Sequence, residues 1–392
     1  MSLKSAEPDV LLITDKFAPH SGGTATLYRE WMDRLPSDRT RVCTSWFRGA
    51  EAFDPTRNYP ITRVPVTDIP KVRMPLVWWR LRWAAERMVR ERRPDVIHVG
   101  QLFETGWIAL ALKRRFGIPY VVHCYGEEVN FWSRYAPTRN VIREVLDQAS
   151  WVTSISRYTQ ARLRELDLFK GEATLHYPGV DTTRFRGASG TEIRAKYAPN
   201  GEKLLLTVAR LLPRKGHDHV LEMLPRLRRE FGGLRYLIVG TGFHEPVLKA
   251  QAARLGLGDS VMFLGSLPHT EVPSYFAAAD VFMHPNRQMP NGDVEGFGIV
   301  FLEAGAVGLP VIGGSTGGTP DAIVHGETGY LVDPDSTDDI EEHCLRILRD
   351  PALGARMGEA GRKWAEGFTW DAAAKRVLDI SRSVAAGSVP KP

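Results

Sequence analysis

Short apolar runs alternate with amphipathic stretches along almost the whole chain. The amphipathic stretches predict helices, and they include residues 80–93, 141–149, 220–231 and 245–255. The apolar runs predict β-strands, and they are VLLIT, DVIHVG, YVVHC, WVTSIS, LLLTVAR, LRYLIVG, VMFLG, DVFMH, LPVIGG and GYLVD. Strands and helices that alternate in this way predict an α/β fold, in which helices cover both faces of parallel sheets.

The alternation occurs twice, with a break in HYPGVDTTRFRGASG, residues 176–190, where prolines and glycines interrupt the periodicity. A chain of 392 residues is also long for one core. We therefore predict two doubly wound domains, over residues 1–185 and 200–370, with a last helix near 371–388 that packs back on the first domain. Parallel sheets bind ligands at the carboxyl ends of their strands, so the site is expected to use loops from both domains.

Composition narrows the class of protein. The chain is 43% hydrophobic and 25% charged, which is typical of a soluble globular protein. Its first apolar run is too short for a signal peptide, and no stretch approaches the roughly 20 apolar residues of a membrane-spanning helix. Cys43, Cys124 and Cys344 form no CxxC arrangement, which argues against a zinc site or a disulfide framework. A cytoplasmic location is expected.

Charge is unevenly distributed. Residues 1–196 hold 31 Lys and Arg against 22 Asp and Glu, or +9, whereas the remainder holds 20 against 24, or −4. The basic half favours an anionic partner, such as a membrane surface, a phosphorylated acceptor or nucleic acid, and charge alone does not choose among them.

One basic segment suggests a membrane contact. Residues 71–95 hold eight Lys and Arg against three acidic residues, and Trp79 and Trp83 lie one helical turn apart. Val77, Leu81, Ala84 and Met88 recur at helical spacing and can face a core. Residues 71–93 are thus expected to touch the inner face of a membrane. The alternative is a surface helix whose tryptophans pack under neighbouring loops.

Two glutamates in EGFGIVFLEAG, residues 295–305, raise the question of a paired-carboxylate site. Glycosidases hold two carboxylates about 5 to 9.5 Å apart. On one continuous helix, Glu295 and Glu303 would be about 12 Å apart along the axis and rotated by about 80°. The spacing suits two ends of one long ligand better than one scissile bond.

Two loops could hold phosphate. Gly22 and Gly23 follow a predicted strand and precede a helix, where backbone N–H groups can approach an anion, although an ordinary turn has the same pattern. Arg210 and Lys215 precede another helix and suit a diphosphate. The alternative is a set of solvated surface cations, which is how we interpret Arg214.

Two further features are ambiguous or weak. His123 ends the strand YVVHC, where it could point into a cleft or be a satisfied structural histidine, and the sequence does not choose. GTGFHE, residues 240–245, lacks the third glycine and the later acidic residue of a dinucleotide fingerprint, which argues against an NAD-dependent oxidoreductase.

Together these features resemble a known family. Residues 293–334, DVEGFGIVFLEAGAVGLPVIGGSTGGTPDAIVHGETGYLVDP, are similar to the donor-binding core of the retaining glycosyltransferases of family 4, whose fold is GT-B. The E-x7-E pair, the ETGYLV segment, the Arg210 and Lys215 pair and the early Gly-Gly loop follow the family's order, from Leu11 to about Trp370. The resemblance implies two Rossmann-like domains facing across a cleft, the first for the acceptor and the second for the donor.

The resemblance also implies roles for single residues. Glu303 would accept hydrogen bonds from the ribose, Glu295 would contact the transferred sugar, and His123 would lie beside that sugar. The diphosphate would be held by Gly22, Gly23, Arg210 and Lys215. The amides of Phe297, Gly298 and Ile299 would face the sugar and diphosphate, and Phe263, Gly265 and Ser266 would read the base. Neither a metal nor a cofactor is expected, because two cations and helix amides can offset the leaving-group charge.

The function that the resemblance implies is retaining transfer of a hexose from a nucleotide diphosphate sugar to a hydroxyl acceptor, a lipid or a glycan precursor. NGDVEGFGIVFLEA looks most like the enzymes that use GDP-mannose, including those that mannosylate phosphatidylinositol. A donor of UDP-glucose or UDP-N-acetylglucosamine remains an alternative. So does a catalytically silent sugar-nucleotide-binding protein, although such a protein would lose Glu295 and His123. No nucleic-acid partner is expected.

Overall fold

The structure is a computed structural model that describes residues 7–20, 22–66 and 70–388, with the backbone alone for residues 70–74. The chain divides into two compact units. Unit 1 runs to Gly179 and resumes at Trp370, and unit 2 is Val180–Thr369. Each unit contains one parallel sheet with helices packed against it, so the predicted α/β class is confirmed.

Unit 1 is built on a seven-stranded sheet with the order β3-β2-β1-β4-β5-β6-β7. All neighbouring strands are parallel. The strands are β1 (Val10–Ile13), β2 (Thr40–Ser45), β3 (Ile61–Val64), β4 (Val96–Val99), β5 (Tyr120–Cys124), β6 (Trp151–Ser154) and β7 (Thr174–Leu175). The central strands β1, β4 and β5 are fully buried, which explains their continuous apolar sequences.

The helices of unit 1 that precede unit 2 cover this sheet. They are α1 (Gly23–Met32), α2 (Ala50–Phe53), α3 (Pro70–Glu91), α4 (Gly106–Phe116), α5 (Glu127–Trp132), α6 (Ala136–Asp147) and α7 (Arg157–Glu165). Helix α3 begins ten residues before the predicted start at residue 80 and includes Pro75 near its amino end. Its apolar stripe packs in the core of unit 1 through Val77, Leu81, Ala85 and Met88, so Ala85 takes the buried place predicted for Ala84.

Unit 2 contains a six-stranded parallel sheet with the order β10-β9-β8-β11-β12-β13. Its strands are β8 (Lys203–Val208), β9 (Leu234–Val239), β10 (Val261–Gly265), β11 (Val281–His284), β12 (Val311–Gly314) and β13 (Gly329–Val332). Its helices are α8 (Thr182–Arg186), α9 (Thr191–Tyr197), α10 (His217–Phe231), α11 (Glu245–Arg254), α12 (Val272–Ala278), α13 (Ile299–Val307), α14 (Thr319–Ala322), α15 (Thr337–Arg349) and α16 (Pro351–Glu366).

The last helix, α17 (Trp370–Ala385), belongs to unit 1 and packs against α1 and β4. It is joined to the sheet by buried hydrogen bonds. His98 on β4 bonds to Ser381 at 2.8 Å, and His176 bonds to the carbonyl oxygen of Ala373 at 3.0 Å. The last helix thus completes the core of the first unit.

Candidate active site

The loop before α13 places Glu295 at the carboxyl edge of the unit 2 sheet. Gly298 is the residue before the helix and has φ of 91°, a left-handed conformation that favours glycine. A Cβ atom there would lie 2.6 Å from the ring of Phe301. Among the described residues, no side chain caps the first turn of α13. The N–H groups of this turn are therefore suited to an anionic ligand.

Three cationic or ionisable side chains converge on one oxygen of Glu295. Arg214 Nη1 lies 2.8 Å from Glu295 Oε2, Lys215 Nζ lies 2.5 Å from it, and His284 Nε2 lies 3.6 Å from it. Burial alone would raise the pKa of Glu295, but the charges of Lys215 and Arg214 hold it well below its usual range. Glu295 is therefore an ionised carboxylate at neutral pH.

The interpretation of Arg214 as a solvated surface cation is wrong. Arg214 is only 6% exposed, and it pairs with Asp293 at 2.9 Å as well as with Glu295. A buried guanidinium requires counter-charges, and the loop before α13 supplies two of them. Arg214 is a buried partner of the residue that the sequence placed at the sugar.

Lys215 and Arg210 lie near each other in unit 2. Lys215 ends a 3-10 turn, Pro213–Lys215, just before α10. Burial lowers the pKa of Lys215 to about 8 although Glu295 opposes that shift, and the charge of Arg210 contributes to the lowering. Arg210 itself is exposed at the end of β8. Lys215 lies beside the loop before α13 through its contact with Glu295, and Arg210 is close enough to act on Lys215. Two such cations can neutralise a diphosphate.

Glu303 lies on α13, one turn and a half further along the helix than Gly298. Burial raises the pKa of Glu303 to about 7, and the charge of Arg184 on α8 opposes the shift. The burial of the Glu303 carboxylate is therefore less well compensated by nearby positive charge than the burial of Glu295. Hydroxyl groups of a ligand that donate to it would supply part of the missing compensation.

The residues predicted to read the base lie on and after β10, the edge strand of the unit 2 sheet. Phe263 is partly buried on β10, with Lys249 Nζ 5.4 Å from the centre of its ring. Gly265 ends the strand with φ of 68°, and Ser266 is exposed beyond it. These positions are at the carboxyl edge, where a parallel sheet binds ligands.

The two glycines of GTGFHE have a packing role. A Cβ atom on Gly240 would lie 1.9 Å from the carbonyl oxygen of Ala209, and one on Gly242 would lie 2.2 Å from that of Leu211. Glycine is required because the backbone after β8 passes this close. The motif therefore needs no dinucleotide to explain it.

The other predicted residues belong to unit 1. Gly22 has φ of 153°, precedes α1, and would place a Cβ in open space, as would Gly23 at the first position of the helix. Among the described residues, no side chain caps α1. This loop is therefore a helix amino terminus without a side-chain cap, and its two glycines leave open space around their backbone.

His123 on β5 has its ring fully engaged inside unit 1. Its Nε2 lies 2.9 Å from His98 Nδ1, and its Nδ1 lies 2.7 Å from Thr153 Oγ1. Ser381 donates its hydroxyl hydrogen to the Val377 carbonyl, so it accepts a hydrogen bond from His98 Nε2. His98 Nδ1 is then an acceptor, and His123 Nε2 donates to it. His123 Nδ1 in turn accepts from the Thr153 hydroxyl. Both ring nitrogens of His123 therefore have partners within unit 1, and a position beside the donor sugar stays a prediction. The alternative of a satisfied structural histidine describes the ring.

Burial also keeps these histidines neutral. It lowers the pKa of His123 well below its ordinary value, and that of His98 to about 3 and of His176 to about 4. Trp31 stacks on His176, with ring centres 4.7 Å apart, and its ring lies 4.9 Å from that of His123. The group is part of the core of unit 1.

The carboxyl edge of the unit 1 sheet holds residues that the sequence did not single out. Asp15 follows β1, Glu104 follows β4, and Glu128 follows β5. Burial raises the pKa of Asp15 to about 7 and that of Glu128 to about 8. No motif marks them, because they meet only when three strands distant in the sequence become neighbours. Within residues 7–20, 22–66 and 75–388, no cluster of His, Cys, Asp or Glu side chains could hold a metal ion.

The chain matches two family models in sequence order. The one described as "Glycosyltransferase Family 4" matches residues 21–184, and the one described as "Glycosyl transferases group 1" matches residues 189–364. A GDP-mannose-dependent alpha-(1-6)-phosphatidylinositol monomannoside mannosyltransferase of Mycobacterium tuberculosis is 35% identical over 382 residues, which cover 95% of this chain and 98% of that protein. The chain belongs to glycosyltransferase family 4. It is a glycosyltransferase, and the resemblance found in its motifs is confirmed.

Other relatives of this family 4 glycosyltransferase also match over nearly their whole length. The enzyme of the same name from Mycolicibacterium smegmatis is 33% identical, covering 95% of this chain and 97% of its own. A GDP-mannose-dependent monoacylated alpha-(1-6)-phosphatidylinositol monomannoside mannosyltransferase of Corynebacterium glutamicum is 31% identical, covering 97% and 99%.

Solved structures support the fold. Sucrose-phosphate synthase of Thermosynechococcus elongatus has a TM-score of 0.82 at 23% identity, covering 97% of this chain and 99% of that one. Alr3699/HepE of Anabaena, in complex with UDP and glucose, has a TM-score of 0.81 at 19% identity, covering 96% and 100%. The predicted GT-B class, with two Rossmann-like domains, is confirmed.

Proposed function

We propose that this glycosyltransferase moves mannose from GDP-mannose, with retention of configuration, to a hydroxyl group of an inositol-containing lipid. The relatives that match over nearly their whole length are named as GDP-mannose-dependent phosphatidylinositol monomannoside mannosyltransferases, which supports the donor and the kind of acceptor. The structural observation that carries the proposal is the ionised Glu295, held by Arg214 and Lys215 beside the uncapped start of α13. This arrangement suits a sugar attached to a diphosphate.

Lys215, Arg210 and the amides at the start of α13 would bind the diphosphate. Lys215 carries its proton at neutral pH, because its pKa is about 8. A preorganised cation of this kind stabilises charge as it develops on the leaving phosphate. Since Arg214 also compensates Glu295, Lys215 can exchange its contact with the carboxylate for one with phosphate while Glu295 remains ionised.

Glu295 would orient the sugar rather than attack it. Its Oε2 receives the contacts with Arg214, Lys215 and His284, so Oε1 is the oxygen suited to sugar hydroxyls. Two cations also weaken the carboxylate as a nucleophile. In the transfer, the acceptor hydroxyl oxygen bonds to the anomeric carbon on the face from which the diphosphate departs. The bond to the diphosphate breaks, and a phosphate oxygen takes the hydroxyl proton.

A donor panel tests the proposal. Purified protein is incubated with GDP-mannose, UDP-glucose or UDP-N-acetylglucosamine and with phosphatidylinositol-based acceptors in detergent, and the product's anomeric configuration is read by NMR. We expect transfer from GDP-mannose with retention. Transfer from a UDP-sugar alone would overturn the donor assignment, and an inverted product would overturn the mechanism. Donor binding without hydrolysis or transfer would favour a catalytically silent binding protein.

We also propose that α3 holds the enzyme at a membrane surface. In the described part of the chain, no helix has both the length and the apolar character needed to cross a bilayer. Trp79 is 54% exposed and Trp83 is 66% exposed, with ring centres 5.5 Å apart. The alternative in which both rings pack under neighbouring loops does not fit this exposure. Lys71 and Arg73 lie outside the residues whose side chains are described.

Vesicle co-sedimentation tests the membrane contact. Glu86 already pairs with Arg82, Arg90 and Arg115, which reduces but does not cancel the basic character of this face. We expect binding to anionic vesicles at low salt, weakened by high salt and by Trp79→Ala with Trp83→Ala. Phe243→Ala removes an exposed aromatic ring from unit 2 and is the matched control. Binding that survives loss of both tryptophans would contradict this surface.

A further inference from the structure

Two buried carboxylate oxygens at the carboxyl edge of the unit 1 sheet have no hydrogen-bond partner among the described residues. They are Oδ1 of Asp15 and Oε2 of Glu104. Asp15 is only 6% exposed and Glu104 is 9% exposed. A buried polar atom left without a partner costs about 1 to 3 kcal/mol. Two such atoms on carboxyls that interact with each other are suited to accept hydrogen bonds from a ligand.

The topology brings these residues together. Strands β1, β4 and β5 are neighbours in the sheet, and Asp15, Glu104 and Glu128 follow their carboxyl ends. The charge of Glu104 acts on Asp15 and on Glu128, so the three carboxyls are close enough to interact. Gly22 and Gly23 follow β1 at the same edge.

The surrounding contacts hold the Glu104 side chain and the Asp15 backbone, and neither contact reaches the two unpartnered oxygens. Glu104 Oε1 accepts a hydrogen bond from Trp132 Nε1 at 3.0 Å, which leaves Oε2 as the available oxygen. Gln101 Oε1 accepts from the backbone N–H of Asp15 at 3.0 Å and holds the Asp15 backbone against the loop after β4. Such fixed, unsatisfied acceptors are typical of a preorganised binding site.

The cluster is not a cation site of the usual kind. Within the residues whose side chains are described, no group of carboxylates or histidines has the arrangement that could hold a metal ion. The Lys16 ammonium is influenced by Asp15, Glu104, Glu127 and Glu128, so a positive charge is already present. A neutral donor with several hydrogen atoms fits better than a second cation.

We infer that Asp15 and Glu104 bind neighbouring hydroxyl groups of a polyol ring, and that this is the site of the acceptor. Hydroxyl groups donate to carboxylate oxygens, and the available oxygens belong to carboxyls that interact across one small site. A cyclic polyol presents such hydroxyls side by side. This assignment rests on the proposed function, because a hexosyl transfer requires a hydroxyl acceptor in addition to the donor.

The incompletely compensated burial of Asp15 should lower the stability of the free protein, whereas a carboxylate with a structural role should raise it. Asp15 is desolvated without full compensation, whereas a structural carboxylate would be paired or hydrogen-bonded. Replacement by Asn keeps the shape and removes the buried charge. An acceptor site therefore predicts that Asp15→Asn weakens ligand binding without lowering stability, and a structural role predicts that it lowers stability.

Acceptor binding and stability are measured together. The variants are Asp15→Asn and Glu104→Gln, and the matched control is Glu144→Gln, an exposed glutamate of unit 1. Binding of myo-inositol is followed by ligand-observed NMR, binding of GDP by calorimetry, and stability by urea unfolding at pH 8. We expect each site variant to weaken myo-inositol binding about tenfold or more. The Kd for GDP should stay unchanged, and the urea midpoint should not fall.

The outcomes separate this inference from the proposed function. Unchanged myo-inositol binding in both variants would overturn the inference, even if GDP-mannose proves to be the donor. A lowered urea midpoint with unchanged binding would assign Asp15 a structural role, and tighter binding of ethanolamine than of myo-inositol would indicate a cation site. Loss of myo-inositol binding in a protein that does not use GDP-mannose would support the inference and refute the proposed donor.

Discussion

The carboxyl edges of the two sheets differ in how far nearby positive charges compensate their buried carboxyl groups. In unit 2, Glu295 lies within 3 Å of Arg214 and Lys215, and its pKa is held well below the usual range. In unit 1, burial raises the pKa of Asp15 to about 7 with only partial compensation. The same topological position thus holds an ionised network in one unit and under-compensated carboxyls in the other.

The difference fits the charge of the ligand that each edge would receive. An anionic diphosphate requires cations, and buried cations require a carboxylate to hold them while the ligand is absent. A neutral polyol requires acceptors, and acceptors with no ligand remain unsatisfied. One edge is therefore stabilised in the free protein by its own ion pairs, whereas the other would carry a cost until the proposed ligand binds.

Removing Glu295 should produce the largest effect on stability. Glu295→Gln leaves Lys215 buried without its counter-charge and Arg214 with Asp293 alone, which should lower the free energy of unfolding by about 3 to 5 kcal/mol. Urea unfolding at pH 7.5 measures this. Glu342→Gln, an exposed glutamate of unit 2, is the control. A loss below about 1 kcal/mol would show that the network does not stabilise unit 2.

Removing one cation should act mainly on turnover. We expect Lys215→Ala to reduce kcat about 10²-fold, because it removes a preorganised charge from the leaving phosphate, while Arg214 still compensates Glu295. Arg210→Ala should act in the same direction. Transfer assays with Lys363→Ala as a surface-lysine control measure the effect. Activity that falls only in proportion to the unfolded fraction would instead support a structural role.

Glu303 should control nucleotide affinity and its pH dependence. Loss of contacts to two ribose hydroxyls in Glu303→Gln should weaken GDP binding by about 1 to 3 kcal/mol. Since the pKa of Glu303 is raised to about 7, lowering the pH from 7.5 to 6 protonates its carboxyl and should weaken GDP binding in the wild type. Lys215, whose pKa is about 8, stays mostly protonated over this range and does not reverse the effect. Calorimetry at both pH values is the test. An equal pH dependence in the Gln variant would refute the assignment.

The buried histidines of unit 1 should give the smallest effect, which is a loss of folding stability below pH 6.5. The pKa of His98 is lowered to about 3, so below the ordinary value of 6.5 the unfolded chain binds a proton that the folded chain does not. Stability therefore falls as pH decreases through 6.5, by about 1 kcal/mol per pH unit for this group. When the pH is lowered from 6.5 to 5.5, the free energy of unfolding, measured with urea, should fall by about 1 kcal/mol less in His98→Asn than in the wild type. Equal losses would contradict a neutral His98.

The strands that the sequence predicted are those with continuous apolar runs. Strands β2, β3 and β7 were missed. All six residues of β2 are buried although its sequence, TRVCTS, is largely polar. Arg41 on this strand pairs with Asp9 at 2.7 Å and donates to the Met88 carbonyl. Such long-range partners satisfy polar groups in a core, and periodicity along the chain does not record them.

The same limit applies to the candidate site. Local patterns placed Arg210, Lys215, Glu295 and Glu303 beside helix starts and on helices, since glycine and helix signals are local. Arg214 was assigned to the surface because its partner Glu295 is 81 residues away. The ring of His123 was left undecided because its partners are on β4 and β6. Contacts between strands decide these cases, and only the folded sheet shows them.

The return of α17 to unit 1 has a consequence for synthesis on the ribosome. His176 finds its acceptor on Ala373 only after 197 further residues, and Ser381 arrives later still. At about 5 to 20 residues per second, roughly 10 to 40 s separate the end of the first sheet from the helix that completes its core. All of unit 2 emerges in that interval. The first unit to be synthesised is therefore completed only after the second, and its core face stays exposed to aggregation until α17 has been made.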